Sequence, residues 1–232
     1  LRFFRFFAWY GRPPLDGPSF DACRRSAGGL GSLSGERVAK ELLRLLEAPA
    51  PADALAAMAE AGALDHWLPE YAGVTRLTTL IGREDKPDSL RRLAAILAAA
   101  TDATALGKRL KLSTQQALRL DVMLAREPAV DIAGGPKAWR AGIYHLGSGL
   151  YADRLLLAVE VPGDWGAALT LARSWTPPEL PASGADALAL GMTPGPRVGA
   201  LIAAVERWWI DGDFQADRAA CLAELARLAR IT

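Results

Sequence analysis

Residues 34–46 read Ser-Gly-Glu-Arg-Val-Ala-Lys-Glu-Leu-Leu-Arg-Leu-Leu, and this stretch decides the fold class. Ser34 is a residue type that caps helix N-termini, and Glu36 follows in the first turn, where a carboxylate favours the helix dipole. The apolar residues recur at helical spacing and form one stripe: Val38, Leu42, Leu45 and Leu46. The charged residues between them are spaced to pair along the helix. The segment therefore predicts an amphipathic, salt-bridged α-helix.

The same signals predict helices along most of the chain. Pro51 opens a helix that Gly62 ends, and strand-forming residues are scarce. Further helices are predicted after Asp88 or Ser89, after Ser113, from Pro136, over residues 151–160, 164–175 and 197–211, and from Asp217. Only Leu155–Val161 resembles a strand, and its Leu and Ala content favours helix. The predicted fold class is all-α, an irregular array of short helix pairs with a small C-terminal helical tail.

A break in this periodicity divides the chain. Residues 176–183 contain three prolines, and a Gly/Pro-rich hairpin follows at 184–199. We therefore predict three regions, residues 1–47, 48–176 and 177–232.

Composition narrows the classes of partner. The formal net charge is only +1, with 23% charged residues, yet residues 1–46 and 76–126 both lean basic. Local basic faces on a near-neutral chain suit a polyanionic partner. Two cysteines are too few for a disulfide framework or a zinc site, which favours a reducing compartment. No apolar run reaches membrane-spanning length without a charge, Gly or Pro, so we expect no membrane partner.

The first ten residues, Leu-Arg-Phe-Phe-Arg-Phe-Phe-Ala-Trp-Tyr, combine cations with aromatic rings. Arg2 and Arg5 lie three positions apart and share one face of a helix. The surrounding aromatic residues predict a helix held in a core, with two guanidinium groups presented to a planar or anionic ligand. The alternative is a structural ion pair between helices.

Five segments, taken in order, resemble a known family. They are residues 1–6, 34–46, 61–70 (with Ala-Gly-Ala-Leu and Trp-Leu-Pro-Glu), 90–113 (with Leu-Arg-Arg-Leu-Ala and Arg-Leu-Lys-Leu-Ser), and the hairpin at 183–199. Their order and spacing are similar to those of the bacterial class II tRNA nucleotidyltransferase and poly(A) polymerase family. In that family, the three predicted regions would be the neck, the body and the tail.

The resemblance implies roles for the first two arginines. Arg2 falls on the arginine of a Glu-Asp-x-x-Arg motif that reads CTP or ATP, and Arg5 falls on the next arginine. Ala8 stands where many members carry a third. The resemblance also implies a missing N-terminal catalytic head whose carboxylates hold Mg²⁺. Mg²⁺ and CTP or ATP are thus expected for the complete enzyme, and no cofactor, metal ligand, catalytic residue or independent activity is expected for this chain.

The implied function is binding of tRNA in the cytoplasm for addition of CCA to its 3′ end. Candidate RNA-binding residues are Arg91, Arg92, Lys108, Arg109 and Lys111, together with Gly195 and Arg197 of the hairpin. Backbone N–H groups at a helix start could bind a phosphate there, although the glycines could equally serve a tight turn. Two alternatives remain: the same region of a poly(A) polymerase, or a helical protein–protein interaction module without RNA.

Two aromatic features have simpler interpretations. His66 and His145 are expected to be packing residues, because two histidines are too few for a metal-dependent phosphohydrolase site. Trp208 and Trp209 could stack on bases, but such a pair more often packs the core of a small domain.

Overall fold

The computed structural model describes residues 1–125, 129–158 and 162–230, and helices dominate these residues. The α-helices are α1 Arg2–Tyr10, α2 Gly17–Ser26, α3 Gly35–Leu46, α4 Pro51–Glu60, α5 Thr75–Ile81, α6 Ser89–Ala95, α7 Ala103–Arg109, α8 Thr114–Leu124, α9 Gly135–Leu146, α10 Ser148–Leu157, α11 Trp165–Ser174, α12 Gly184–Ala189, α13 Pro196–Asp211 and α14 Arg218–Ala229. A 3₁₀ helix covers Ala27–Ser32. In the described ranges the only β-pairing is a single bridge between Tyr71 and Leu97. The all-α prediction is confirmed.

Parts of three sequence expectations lie outside the described residues. The first is the end of the helix predicted over 151–160, together with the end of the candidate strand Leu155–Val161 that overlaps it. The others are the end of the basic segment 76–126 and the end of the tail region 177–232.

The caps predicted near residue 88 and at Ser113 form hydrogen bonds to their helices. The Asp88 carboxylate accepts from the Arg91 backbone N–H, and Ser113 forms a capping box with Gln116. Ser34 occupies the N-cap position of α3, but its side chain makes no capping hydrogen bond to the helix. Helix α2, capped by Asp16, was not predicted, because its weakly apolar sequence gives no clear stripe.

The chain forms two compact units. Unit 1 comprises residues 1–130 and 152–165, and unit 2 comprises residues 131–151 and 166–232. The division into neck, body and tail stays a prediction.

The amphipathic helix α3 packs at the centre of unit 1. Its four stripe residues, Val38, Leu42, Leu45 and Leu46, are all buried, as the sequence predicts. Helix α1 packs on α3 and α4, α3 packs on α6, and α8 packs on both α6 and α7. Burial of these apolar stripes is the main favourable contribution to folding of such helices.

The buried side chain of Arg92 links the end of α3 to the Glu84 segment through hydrogen bonds. Arg92 is only 3% exposed. Its Nη1 donates to the backbone oxygens of Leu46 and Ala48 at 2.6 and 2.7 Å, and its Nε donates to Glu84 at 2.5 Å. The guanidinium thereby satisfies the carbonyl of Leu46, the last residue of α3, and the carbonyl of Ala48 just beyond the helix.

Further ion pairs extend this cluster toward α8 and α10. Arg91 donates to Glu84 at 2.7 Å and to Asp153 at 3.0 Å. Asp153 is buried and also accepts from Arg119 through both carboxylate oxygens, at 2.8 and 3.0 Å. Each buried charge in this cluster therefore has an opposite charge beside it, which offsets the cost of removing it from water.

Aromatic rings fill the core of unit 2. Trp209 is 2% exposed and donates its indole N–H to the Ala216 oxygen, whereas Trp208 is 38% exposed. The core interpretation of the tryptophan pair thus holds for Trp209 alone. The rings of Tyr144 and Phe214 pack against Trp209. Burial, together with a 2.7 Å hydrogen bond to Glu206, raises the pKa of Tyr144 to about 12.

Arg92 generates a stability prediction. We expect Arg92→Met to lower the free energy of unfolding by about 3 kcal/mol, because it leaves two buried carbonyls without donors and removes one partner of the buried Glu84 carboxylate. Urea denaturation followed by tryptophan fluorescence measures the change. The matched control is Arg24→Gln, which breaks an exposed pair with Asp21 and should leave the midpoint almost unchanged. Equal small losses in both variants would contradict a structural role for Arg92.

Candidate nucleic-acid interface

Helix α1 carries the two arginines to which the sequence assigns nucleotide binding. Arg5 donates through Nε to Glu41 of α3 at 2.7 Å, and its guanidinium carbon lies 4.5 Å from the centre of the Phe6 ring. The ion-pair alternative therefore describes the bonding of Arg5. Glu41 pairs with α1 and not with its own helix, contrary to the pairing expected from its spacing.

The two sides of α1 differ in burial. Phe4 and Ala8 are buried against the core, whereas Phe6 is 45% exposed and Tyr10 is 74% exposed. Arg2 is exposed on the same side as Phe6. The expectation of a helix held in a core therefore describes the face of α1 that carries Phe4 and Ala8 and packs on α3 and α4, and does not describe the side of Phe6 and Tyr10.

A basic turn joins α7 to α8. Lys108 ends α7 together with Arg109, and Lys111 lies in the turn with a φ of 52°. Both lysines are exposed and line a cavity of about 460 Å³, which Thr104 and Thr114 also line. A left-handed backbone conformation costs a lysine about 1–2 kcal/mol relative to glycine. The turn thus places a lysine at a position where glycine would be less strained. Residues held in unfavourable backbone conformations are common at binding sites.

The start of α3 supports this turn. A Cβ atom on Gly35 would lie 2.2 Å from the backbone oxygen of Arg109, so only glycine permits this approach. Arg109 also donates to Glu70 at 2.5 Å. Hydrogen bonds from its own backbone and from Ser34 lower the pKa of Glu36, with a smaller contribution from the Lys111 charge. Three segments distant in sequence therefore meet at the basic turn.

Arg91 and Arg92 lie in the buried ion-pair cluster of unit 1. Their guanidinium groups are engaged by Glu84, Asp153 and backbone oxygens. The geometry gives both residues a structural role, and their contact with RNA stays a prediction. Sequence reasoning could not separate them from Lys108 and Lys111, because all four belong to short basic clusters in the sequence.

The hairpin of unit 2 consists of α12, a tight turn and α13. Gly191 has a φ of 87°, so the turn requires a glycine there. Gly195 is the N-cap of α13 and has no side chain to satisfy the first N–H groups of the helix. Arg197 is exposed in the first turn. The structure thus supports the tight-turn interpretation at Gly191, and phosphate binding at Gly195 and Arg197 stays a prediction.

The side chains that could ligate a metal ion are dispersed. Within residues 1–125, 129–158 and 162–230, no three His, Cys, Asp or Glu side chains converge to hold a metal ion. His66 and His145 are both exposed, so neither is a core packing residue; the His66 ring lies edge-on to Trp67. No helix in the described ranges has the length and apolar character needed to cross a bilayer.

Comparison with known proteins supports the resemblance seen in the sequence. Residues 15–74 match a family model described as the probable RNA and SrmB-binding site of polymerase A. The mitochondrial CCA tRNA nucleotidyltransferase 1 of Mus musculus is 24% identical over 94% of this chain and 53% of its own length. The Danio rerio protein of the same name is 27% identical over 98% of this chain and 55% of its own length.

A solved structure shares the fold. The CCA-adding enzyme of Bacillus stearothermophilus, crystallised with CTP, superposes with a TM-score of 0.73 over 98% of this chain and 60% of its own, at 22% identity. The chain resembles the C-terminal region of CCA-adding enzymes. It spans about half the length of the mouse and zebrafish relatives. The family resemblance inferred from the sequence is confirmed.

The matched family region of this CCA-adding-enzyme-like chain includes the supports of the basic turn. Gly35 and Glu70 both lie within residues 15–74, whereas Arg109 and Lys111 lie outside that range. The matched segment therefore holds in place a cationic turn that comes from a later part of the chain.

Gly35 generates a second stability prediction. Gly35→Ala should lower the free energy of unfolding by about 1–3 kcal/mol, because the new methyl group overlaps the Arg109 carbonyl and forces the turn to move. Gly17→Ala is the matched control: it also lies at the first position of a helix but has open space around it, so a change within about 0.5 kcal/mol is expected. Chemical denaturation of both variants decides, and equal midpoints would show that the close approach has no energetic consequence.

Proposed function

We propose that this chain is the tRNA-binding region of a tRNA nucleotidyltransferase that adds CCA to tRNA 3′ ends. The observation that carries the proposal is the exposed basic turn of Lys108 and Lys111, which is held by Gly35 and Glu70 of the matched family segment. Similarity to CCA-adding enzymes along almost the whole chain supports it.

Recognition in this proposal rests on the RNA backbone. Exposed lysines attract phosphates and release counterions, and they carry no information about base sequence. Such contacts suit a protein that acts on many tRNAs of one shape, because A-form RNA is recognised mainly through shape and backbone. Arg109 is half-buried beside Glu70 and would reach the RNA only at the edge of this surface.

Arg2 and Arg5 are proposed to contribute to the nucleotide site of the complete enzyme. Arg2 is exposed, so its planar donor group is accessible to a base edge. Arg5 is held by Glu41 and would act mainly by fixing α1. The Mg²⁺ ions and the CTP or ATP of the reaction belong to the catalytic head that the resemblance implies.

A poly(A) polymerase is the second candidate, because the matching family model is described by reference to polymerase A. The length and sequence of the added nucleotides distinguish the two candidates in a complete enzyme. A CCA-adding enzyme adds CCA, whereas a poly(A) polymerase adds a homopolymer. A cytoplasmic location is part of the proposal and is supported by the two free cysteines, Cys23 and Cys221.

The basic turn generates a binding prediction. The chain should bind tRNA with an affinity that falls steeply as salt rises, as counterion release requires. Lys108→Gln and Lys111→Gly should each weaken binding and flatten the plot of log affinity against log salt by about one unit for each phosphate that the variant no longer neutralises. Fluorescence anisotropy with labelled tRNA at several salt concentrations measures both effects. Glycine is chosen at position 111 because it tolerates the positive φ.

Lys137→Gln provides the matched control for this experiment. It removes one exposed positive charge from unit 2, outside the basic turn, and should leave the slope unchanged. Equal effects of Lys108→Gln and Lys137→Gln would show that net charge alone governs binding. A complete absence of salt-dependent tRNA binding would favour the protein-interaction alternative.

The hairpin generates a separate binding prediction. Arg197→Gln should leave the melting temperature almost unchanged, because the side chain is exposed. If Gly195 and Arg197 hold a phosphate of the tRNA elbow, the substitution weakens binding of full tRNA more than binding of an acceptor-stem minihelix. Anisotropy with both RNAs measures the difference. Equal losses on the two RNAs, or no loss on either, would leave the hairpin as a packing element.

A further inference from the structure

One side of α1 carries a row of exposed aromatic rings. Arg2, Phe6 and Tyr10 follow one another at intervals of four residues and so lie along one stripe. Phe6 is 45% exposed and Tyr10 is 74% exposed. Their ring centres are 6.0 Å apart, with the planes tilted by 35°. A tyrosine this exposed leaves one face of its ring accessible to a ligand.

Cations hold these rings and their neighbour in place. The guanidinium carbons of Arg2 and Arg5 lie 5.9 and 4.5 Å from the centre of the Phe6 ring. Arg44 lies 4.7 Å from the centre of the Trp9 ring, and the Trp9 indole N–H donates to the Arg44 backbone oxygen at 2.8 Å. Trp9 in turn contacts Tyr10. Rings ordered in advance lose little conformational freedom when a ligand binds.

A charged groove lies beside the row. It has a volume of about 570 Å³ and is lined by Arg5, Lys40, Glu41, Leu43, Arg44 and Glu47. Both carboxylates of the groove are paired, Glu41 with Arg5 and Glu47 with Arg44. Lys40 is exposed, and no carboxylate pairs with it among the described residues. The charge left over in the groove is therefore positive.

We propose that this face of α1 binds unpaired RNA nucleotides by stacking, with a base on Tyr10 and the backbone phosphates directed toward Lys40. The inference rests on the proposed RNA-binding function and adds a second contact of different chemistry. Aromatic rings beside unpaired cations are the combination that binds single-stranded nucleic acid, since every base has a π face and every nucleotide an anionic phosphate. RNA is favoured over a protein partner because the groove beside the rings keeps a positive charge, and a nucleotide supplies both a π face and an anionic phosphate.

The stacking site differs from the site proposed for the basic turn. Lys108 and Lys111 present cations without rings and would bind paired or unpaired RNA alike. The face of α1 would add affinity only where bases are unstacked, because a base inside a duplex offers no free face. Single-stranded RNA and duplex RNA therefore distinguish the two surfaces.

The test uses the 232-residue chain with two probes, a fluorescein-labelled single-stranded RNA decamer and a blunt duplex of the same sequence. Tyr10→Ala should weaken binding of the single strand about tenfold, the effect of losing one base stack, and leave binding of the duplex unchanged. Tyr10→Phe keeps the ring and should retain the affinity of the unaltered chain. Thr176→Ala, which truncates an exposed side chain of unit 2 outside the hairpin, is the control and should change neither affinity.

A base analogue supplies a direct readout of stacking. A decamer that contains 2-aminopurine should lose fluorescence when bound to the unaltered chain and to Tyr10→Phe, but not when bound at saturation to Tyr10→Ala. Lys108→Gln should weaken binding of both RNAs and preserve the quenching. Melting curves establish that each variant is folded, which Tyr10 substitution should permit because its ring lies largely in solvent.

Two different failures are distinguishable. If both RNAs bind in a Lys108-dependent manner but Tyr10→Ala matches the unaltered chain, the stacking site is overturned and the proposed function stands. If Tyr10→Ala instead abolishes self-association in sedimentation without changing RNA affinity, the face is a protein interface and the inference is equally overturned. If neither these probes nor tRNA binds, the proposed function itself fails.

Discussion

The guanidinium of Arg92 is the interaction on which the arrangement of unit 1 depends. It is buried, and it bonds both to carbonyls at and just beyond the end of α3 and to the carboxylate of Glu84. A buried charge in that position needs these partners, so Arg92 favours the packing of the end of α3, the Glu84 segment and α6 against one another. Arg91 and Asp153 continue the same ionic cluster toward α10.

With its C-terminal end fixed, α3 positions the two candidate interfaces along its length. Gly35 at its start lies against the basic turn. Glu41 at its middle pairs with Arg5 and thereby orients α1, whose exposed side presents Phe6 and Tyr10. Several of the family-like motif residues thus contact one another: Arg5 with Glu41, Gly35 with Arg109, and Arg109 with Glu70. Their spacing reflects a scaffold, and the groups free to meet an RNA are the neighbours that this scaffold holds in place.

Both candidate interfaces, the basic turn and the exposed side of α1, contain a residue whose placement is energetically unfavourable for the folded chain. Lys111 adopts a left-handed backbone conformation, and Tyr10 leaves most of an aromatic ring in water. Neither contributes to the core, and each would be replaced at lower cost by glycine or a polar residue. The aromatic residues in the core of unit 2 differ from Tyr10. Trp209 is buried there, Tyr144 packs against it, and both side chains are hydrogen-bonded.

Sequence alone determined the all-α fold, the caps at Asp88 and Ser113 and the buried stripe of α3, because these depend on local spacing and hydrogen bonds within one turn. It also identified the family resemblance, since ordered motifs survive at low identity. It could not distinguish Arg92 from Lys108, which look alike in the sequence. Only the tertiary structure decided that one is buried beneath the end of α3 and the other lies exposed in a cavity. Burial is set by which helices pack together, and that depends on contacts between residues far apart in the chain.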